Sequence, residues 1–236
     1  MALKEWPGVR DLRFALKCGR YLRGARRRHS GVNWQEFRRI ARYFQTDDMG
    51  SLAERGLLFR LAAALPPGAR VVEVGSWLGA STCFLAGGLT GPDARILAVD
   101  NFAGRSTCAE DEAWYERHFR RLGRRSTLEL FRTNVASLGF TSRVEPLVSD
   151  SLAAAGYWAD RGEPLDLLFI DADHSEAACR ADIAAWAPLV RPGGIVAFHD
   201  FGSRAEGVTR AIFEAIKDGC FAEIVGVAGT VIAFRR

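Results

Sequence analysis

Between Val71 and Ser81 the chain reads Val-Val-Glu-Val-Gly-Ser-Trp-Leu-Gly-Ala-Ser. A short β-branched apolar run is the pattern of a strand buried on both faces, as in a parallel sheet. The run breaks on Gly75, meets Gly79 and passes into small residues suited to a helix. Strand, glycine turn and helix N-terminus in succession let backbone N–H groups approach a ligand closely. The unit then recurs. Arg95–Val99 ends on Asp100, Arg143–Val148 on Ser149-Asp150-Ser151, Leu165–Ile170 on Asp171, and Ile195–Phe198 on His199-Asp200, with helical patterns between them. Pro188 to Gly194 reads as a stop and turn, and Phe221–Val227 and Thr230–Phe234 as a closing pair of strands. The expectation is an α/β chain: a Rossmann-like, doubly wound sheet of about seven strands, mostly parallel, with an antiparallel closing strand and additional N-terminal helices.

Two regions follow from charge and pattern: a basic helical extension over 1–50 and a body over 51–236 with a polar, lid-like insertion at 101–142. Residues 1–46 hold twelve Lys/Arg against three Asp/Glu, so they carry +9 while the whole chain carries only +4. Apolar residues at Val9, Leu12, Ala15 and Leu16, then Tyr21 and Leu22, predict an amphipathic basic helix to about Arg28. Asn33-x-x-Glu36 and Ser51-x-x-Glu54 are capping-box patterns for two more helices, the last stopped by Pro66-Pro67-Gly68. Such a basic face fits packing on the body or on a second copy in a homo-oligomer; an anionic membrane surface is the other partner it suits. No nucleic-acid motif accompanies the charge, so nucleic acid is not expected. The five scattered cysteines form no C-x-x-C pair, which fits a reducing, cytoplasmic setting better than a disulfide framework. Lys4, Glu5, Arg10, Asp11 and Arg13 interrupt any leader-like apolar run.

In an open parallel sheet, ligands bind outside the carboxyl ends of the strands. Gly75, Asp100, Asp150, Asp171 and Asp200 should therefore converge on one crevice. One acid after a strand is ordinarily a helix cap; four in register with a glycine turn are not explained by capping alone. A dinucleotide site needs G-x-G-x-x-G, and here the middle glycine is missing while acids stand where a pyrophosphate would sit. A cationic ligand bearing a ribose diol, such as S-adenosylmethionine, suits the crevice better.

The segments Glu73-Val-Gly-Ser-Trp-Leu-Gly79, Phe169-Ile-Asp-Ala-Asp-His-Ser-Glu176 and Arg191-Pro-Gly-Gly-Ile-Val-Ala-Phe-His-Asp200 resemble class I S-adenosylmethionine-dependent methyltransferases. More narrowly, they resemble the macrocin O-methyltransferase and cephalosporin-hydroxylase-like branch, over roughly residues 50–236. The resemblance implies that Glu73, Gly75 and Gly79 line the methionine end of the cofactor, with Ser76 and Ser81 adding hydrogen bonds. It implies that Asp100 holds the ribose hydroxyls and that Asp150 and Ser151 meet the adenine. It further implies a divalent metal, Mg²⁺ by analogy, on Asp171 and Asp200. His199 stands at the third ligand position, where an acid or amide is usual, and imidazole suits Zn²⁺, Fe or Mn²⁺ better than Mg²⁺. His174, three residues after Asp171, takes the place of a general base, and imidazole titrates in a range suited to that task.

The activity so implied is metal-assisted O-methylation of a small hydroxylated molecule, a sugar or natural-product scaffold, with Asp171 and His174 at the chemistry. Phe102, Trp114, Tyr115, His118 and Phe119 would line the lid. Other readings are a cofactor-binding partner protein in an assembly and a nucleic-acid methyltransferase, the latter weakened by the lack of an N/D-P-P-Y/F motif or a Pro-Cys pair. A Rossmann oxidoreductase is disfavoured by the missing glycine.

Overall fold

The computed structural model describes residues 7–45, 50–104, 116, 120, 123, 126–203 and 205–236. Three helices, α1 Pro7–Arg28, α2 Trp34–Tyr43 and α3 Leu52–Ala63, precede the first strand, β1 Arg70–Val74. There follow α4 Ala80–Gly88, β2 Arg95–Asp100, α5 Thr127–Ser137, β3 Val144–Val148, α6 Ser151–Arg161, β4 Leu165–Ile170 and α7 Glu176–Trp186. A 3₁₀ turn Ala187–Leu189 leads into β5 Val190–Phe198, then α8 Glu206–Lys217, β6 Glu223–Ala228 and β7 Val231–Arg235. The predicted helix around Glu110–Arg121, with Trp114, Tyr115, His118 and Phe119, falls almost wholly outside the described residues.

The seven strands form one sheet in the order β3-β2-β1-β4-β5-β7-β6. β1 to β5 run parallel, whereas β7 is antiparallel to both β5 and β6. Side chains alternate between faces along each strand. Val71, Ile96, Leu167, Phe169 and Ala197 join one buried cluster with α1 to α5. Val72, Val74, Leu97, Leu168, Val196 and Phe198 join the other with α6, α7 and α8. Both faces are thus covered, which is why the strands read as unbroken apolar runs.

Three local outcomes differ from the sequence expectations. Arg191–Gly194 is not a turn but part of β5, which begins at Val190. The C-terminus supplies the reason: Gly193 N donates to the Arg236 carbonyl at 2.7 Å and Arg236 N to the Gly194 carbonyl at 3.0 Å. The closing strands start later than expected, at Glu223 and Val231. In α1 the inward face is Cys18, Leu22 and Ala25, while Leu16 is 57% exposed. Val9 and Leu12 belong to a part of α1 whose side chains lie outside the description. Arg26, Arg27 and Lys17 stay on the outer face, so the helix packs on α2 and α3 with its charge outward. Among the described residues, no helix is long and apolar enough to cross a membrane.

Candidate active site

The loops after β1 to β5, together with α3 and the start of β7, line a cleft of about 700 Å³ at the carboxyl edge of the sheet. Sheet order places Asp150, Asp100, the glycine turn, Asp171 and Asp200 side by side along it.

The glycine turn is set by a close approach of two loops. Gly75 has φ 89°, and a Cβ there would run into the carbonyl of Asp171, with the Ala172 Cα 2.8 Å away. The pair is joined in register by Asp171 N to the Val74 carbonyl, 2.8 Å. Trp77 and Phe102 are non-glycine residues at φ 44° and 50°, a conformation that needs outside support. One side chain supports both. Asp100 Oδ2 accepts Trp77 N–H at 2.8 Å and Oδ1 accepts Phe102 N–H at 2.6 Å. Burial pushes the Asp100 carboxyl up, and these backbone donors pull it back. Asp100 therefore shapes the turn it faces as well as lining the cleft.

Glu73 lies beneath this wall rather than among its lining residues. It is fully buried, with Thr82 of α4 donating to Oε2. Oε1 has no partner at hydrogen-bond geometry; the Ser81 and Ser76 hydroxyls are near enough to favour its charge without closing that gap. Burial pushes the Glu73 carboxyl up to about 7. A carboxyl raised on folding stabilises the protein below its unfolded value and loses that contribution as pH rises through the folded one. Stability should therefore fall by up to about 3 kcal/mol between roughly pH 4.5 and 8 on account of this group. Denaturant melts of wild type and Glu73→Gln across that range test this: the variant should lack that share of the decline. Gly79 caps α4 at φ 81°, and Ser81 and Ser76 line the cleft.

At the other end, Asp150 is the N-cap of α6 and accepts Ala153 N–H at 3.0 Å. The Ser151 hydroxyl does not point its bonding capacity at the cleft. It donates to Asp182 Oδ1 at 2.5 Å and accepts from Trp186 Nε1–H at 2.9 Å. Ser151 itself lines the cleft, with its backbone in the first turn of α6. Asp182 on α7 is 4% exposed and lines the cleft. The sequence reading missed it, since an acid inside a helical pattern carries no local signal.

The chemistry-bearing cluster sits where β4 and β5 end side by side. His174 Nε2 is 3.0 Å from Asp200 Oδ2. His199 Nδ1 lies between both acids, 3.0 Å from Asp200 Oδ2 and 3.2 Å from Asp171 Oδ1. Asp200 adopts φ 59° to present its carboxylate here. Burial opposes the charge on His199, but Asp171 and Asp200 outweigh it and raise the ring to about 11. Burial likewise pushes Asp200 up, and the hydrogen bonds from His174 and His199 hold it far below the ordinary carboxylate range. His199, the third ligand of the sequence expectation, thus stands between the two acids at hydrogen-bond distance of both. Asp171, His174 and Asp200 form a compact donor group, with ligand atoms within 4.8 Å of one another.

The sheet order and the row of strand-end acids define a class I S-adenosylmethionine-dependent methyltransferase. The chain belongs to the methyltransferase-domain family, whose model matches residues 72–201. No curated protein matches the chain. Its fold is similar to an O-methyltransferase from Bacillus cereus in complex with SAH: 17% identity, TM-score 0.57, covering 86% of this chain and 91% of that one. It is similar to a methyltransferase from Geobacter sulfurreducens at 20% identity and TM-score 0.58, covering 86% of each. It is also similar to CalS11, a TDP-rhamnose 3′-O-methyltransferase of calicheamicin biosynthesis, at 16% identity and TM-score 0.53, covering 85% and 93%.

Proposed function

We propose that the chain transfers a methyl group from S-adenosylmethionine to a hydroxyl of a small molecule, with His174 as general base. The observation that carries this reading is the His174–Asp200 pair at 3.0 Å, in the same cleft as the glycine turn and Asp100. The hydroxyl oxygen attacks the sulfonium methyl carbon in line. The C–S bond breaks, its electron pair stays on sulfur, and S-adenosylhomocysteine leaves. The acceptor proton passes to His174. With Nε2–H donated to Asp200, the ring's lone pair lies on Nδ1, and Asp200 fixes that tautomer and balances the imidazolium that forms. An acceptor held near van der Waals contact with the methyl supplies much of the rate. The named hydroxylated sugar substrate of one structural neighbour agrees with this acceptor class.

A divalent cation is the second reading, favoured by the compact Asp171–His174–Asp200 group. Two oxygens and one imidazole suit Mn²⁺ or Zn²⁺ better than Mg²⁺. A bound ion would polarise the acceptor oxygen, but His174 would then be a ligand and not the base. The His199 ring already placed between the two acids supports the first reading.

Calorimetry separates these readings. SAH should bind the wild type, and Asp100→Asn should weaken binding by about 10–100-fold, the value of one or two hydrogen bonds to a charged group. No SAH binding by the wild type would end the proposal. Mn²⁺ titration without a heat, and SAH binding unaffected by EDTA, would remove the second reading; a saturable Mn²⁺ heat lost in Asp171→Asn would restore it.

A further inference from the structure

The orientation of the His199 ring is fixed by two residues that lie outside the stretch matched by the family model, one before it and one after. Glu54, in the first turn of α3, is buried at 8% exposure. Its Oε2 accepts the Ser51 N–H at 2.5 Å, closing a capping box. Its Oε1 reaches across to the β6–β7 turn, 176 residues on, and accepts both Thr230 N–H at 2.8 Å and Thr230 Oγ1–H at 3.0 Å. The carboxylate can sit there because residue 229 is glycine: a Cβ at Gly229, φ 58°, would collide with the Glu54 carboxyl group. The Thr230 hydroxyl in turn lies 3.3 Å from His199 Nε2. The Thr230 carbonyl also holds Phe201 N–H at 2.9 Å, just past Asp200.

Proton directions along this chain are determined. An ionised carboxylate only accepts, so the single hydroxyl proton of Thr230 goes to Glu54. Toward His199 the Thr230 oxygen must then accept, which makes Nε2 a donor. Nδ1 faces two carboxylates. A flipped ring would aim a carbon at one of these acceptors and leave a buried polar group unmet. A capping box alone explains Ser51. It does not explain a glycine turn shaped to receive the second oxygen of the same carboxylate, or the hydroxyl relayed from it to a ring in the cleft.

We propose that Glu54 and Thr230 are positioning residues for the reaction cluster: through the Glu54–Thr230–His199 chain they lock the orientation of the His199 ring, Nε2–H toward Thr230 and Nδ1 toward Asp171 and Asp200. The proposal rests on the methyl-transfer reading only for calling this cluster the site of reaction.

The test is ¹⁵N-histidine NMR of the full chain, which needs no acceptor. The wild type should show a slowly exchanging Nε2–H of His199. Thr230→Val keeps the shape and removes the acceptor, and the Nε2–H signal should be lost to solvent exchange. Thr230→Ser should restore it. Glu54→Gln, with one acceptor oxygen in place of two, should broaden it and serves as the second probe if the valine variant folds poorly. A merely structural role for Thr230 would lower the melting temperature without moving the ring signal. A Val variant with the wild-type Nε2–H resonance, or a Ser variant that fails to recover it, overturns the proposal. Calorimetry with SAH on the wild type is scored separately: absent binding sinks the methyltransferase reading and leaves the outcome for the ring intact.

Discussion

His174→Ala is expected to lower methyl transfer by about 10²–10⁴-fold, the usual contribution of a positioned general base, and to leave SAH affinity within a few-fold of wild type. The reasoning is geometric. His174 lies in the loop after β4 and meets Asp200 from the neighbouring strand, whereas the cofactor-facing turn and Asp100 belong to β1 and β2. Removing the ring takes away the proton acceptor and one donor to Asp200 without touching the glycine turn. The measurement is single-turnover transfer of labelled methyl from S-adenosylmethionine to hydroxylated acceptors, sugar nucleotides and phenols among them. The limb of the pH–rate profile that reports deprotonation of the base should vanish in the variant. Asp200→Asn should lower the rate by a similar factor, because a neutral amide cannot balance the charge of the imidazolium that forms on the neighbouring ring. Full activity in His174→Ala would refute the base assignment and shift weight to the metal-held reading.

The sequence made the sheet legible because each parallel strand is an apolar run that ends on a residue of different chemistry. The strand boundaries at Val74, Asp100 and Ile170 were readable for that reason, and the rule that ligands gather at carboxyl ends brought Asp100, Asp150, Asp171 and Asp200 to one cleft. What could not be read was the partner of each side chain. His199 follows a strand directly and looks like a ligand by position. Its ring instead meets Asp171 of the adjacent strand and Thr230 in a turn 31 residues later. The hydroxyl of Ser151 bonds Asp182 and Trp186 of α7, a packing contact with no trace in local spacing. Arg191–Gly194 carries strong turn chemistry, and pairing with the C-terminal residue overrode it. In each case a long-range neighbour decided what the local residue does.

Gly75→Ala should be the most damaging single methyl in the chain. The added Cβ has two costs that compound. The backbone at φ 89° is one that L side chains rarely adopt, worth about 1–3 kcal/mol of strain. The Cβ also meets backbone, the Asp171 carbonyl and the Ala172 Cα, so no side-chain rotation relieves it. The loops after β1 and β4 must move apart, and the bond from Asp171 N to the Val74 carbonyl lies at their junction. That displacement reaches both halves of the site at once. Trp77 loses its alignment with Asp100 on the cofactor side, and Asp171 shifts against His199 on the other. A loss of about 3 kcal/mol or more in chemical denaturation is expected, together with SAH affinity reduced beyond what Asp100→Asn alone causes. Gly219→Ala is the control. Gly219 also has positive φ, 73°, but nothing lies within 4 Å of its Cβ position, so its cost should be limited to strain and its SAH affinity unchanged. If the two variants lose equal stability and bind SAH equally well, the contact between the two loops is not what requires glycine at 75.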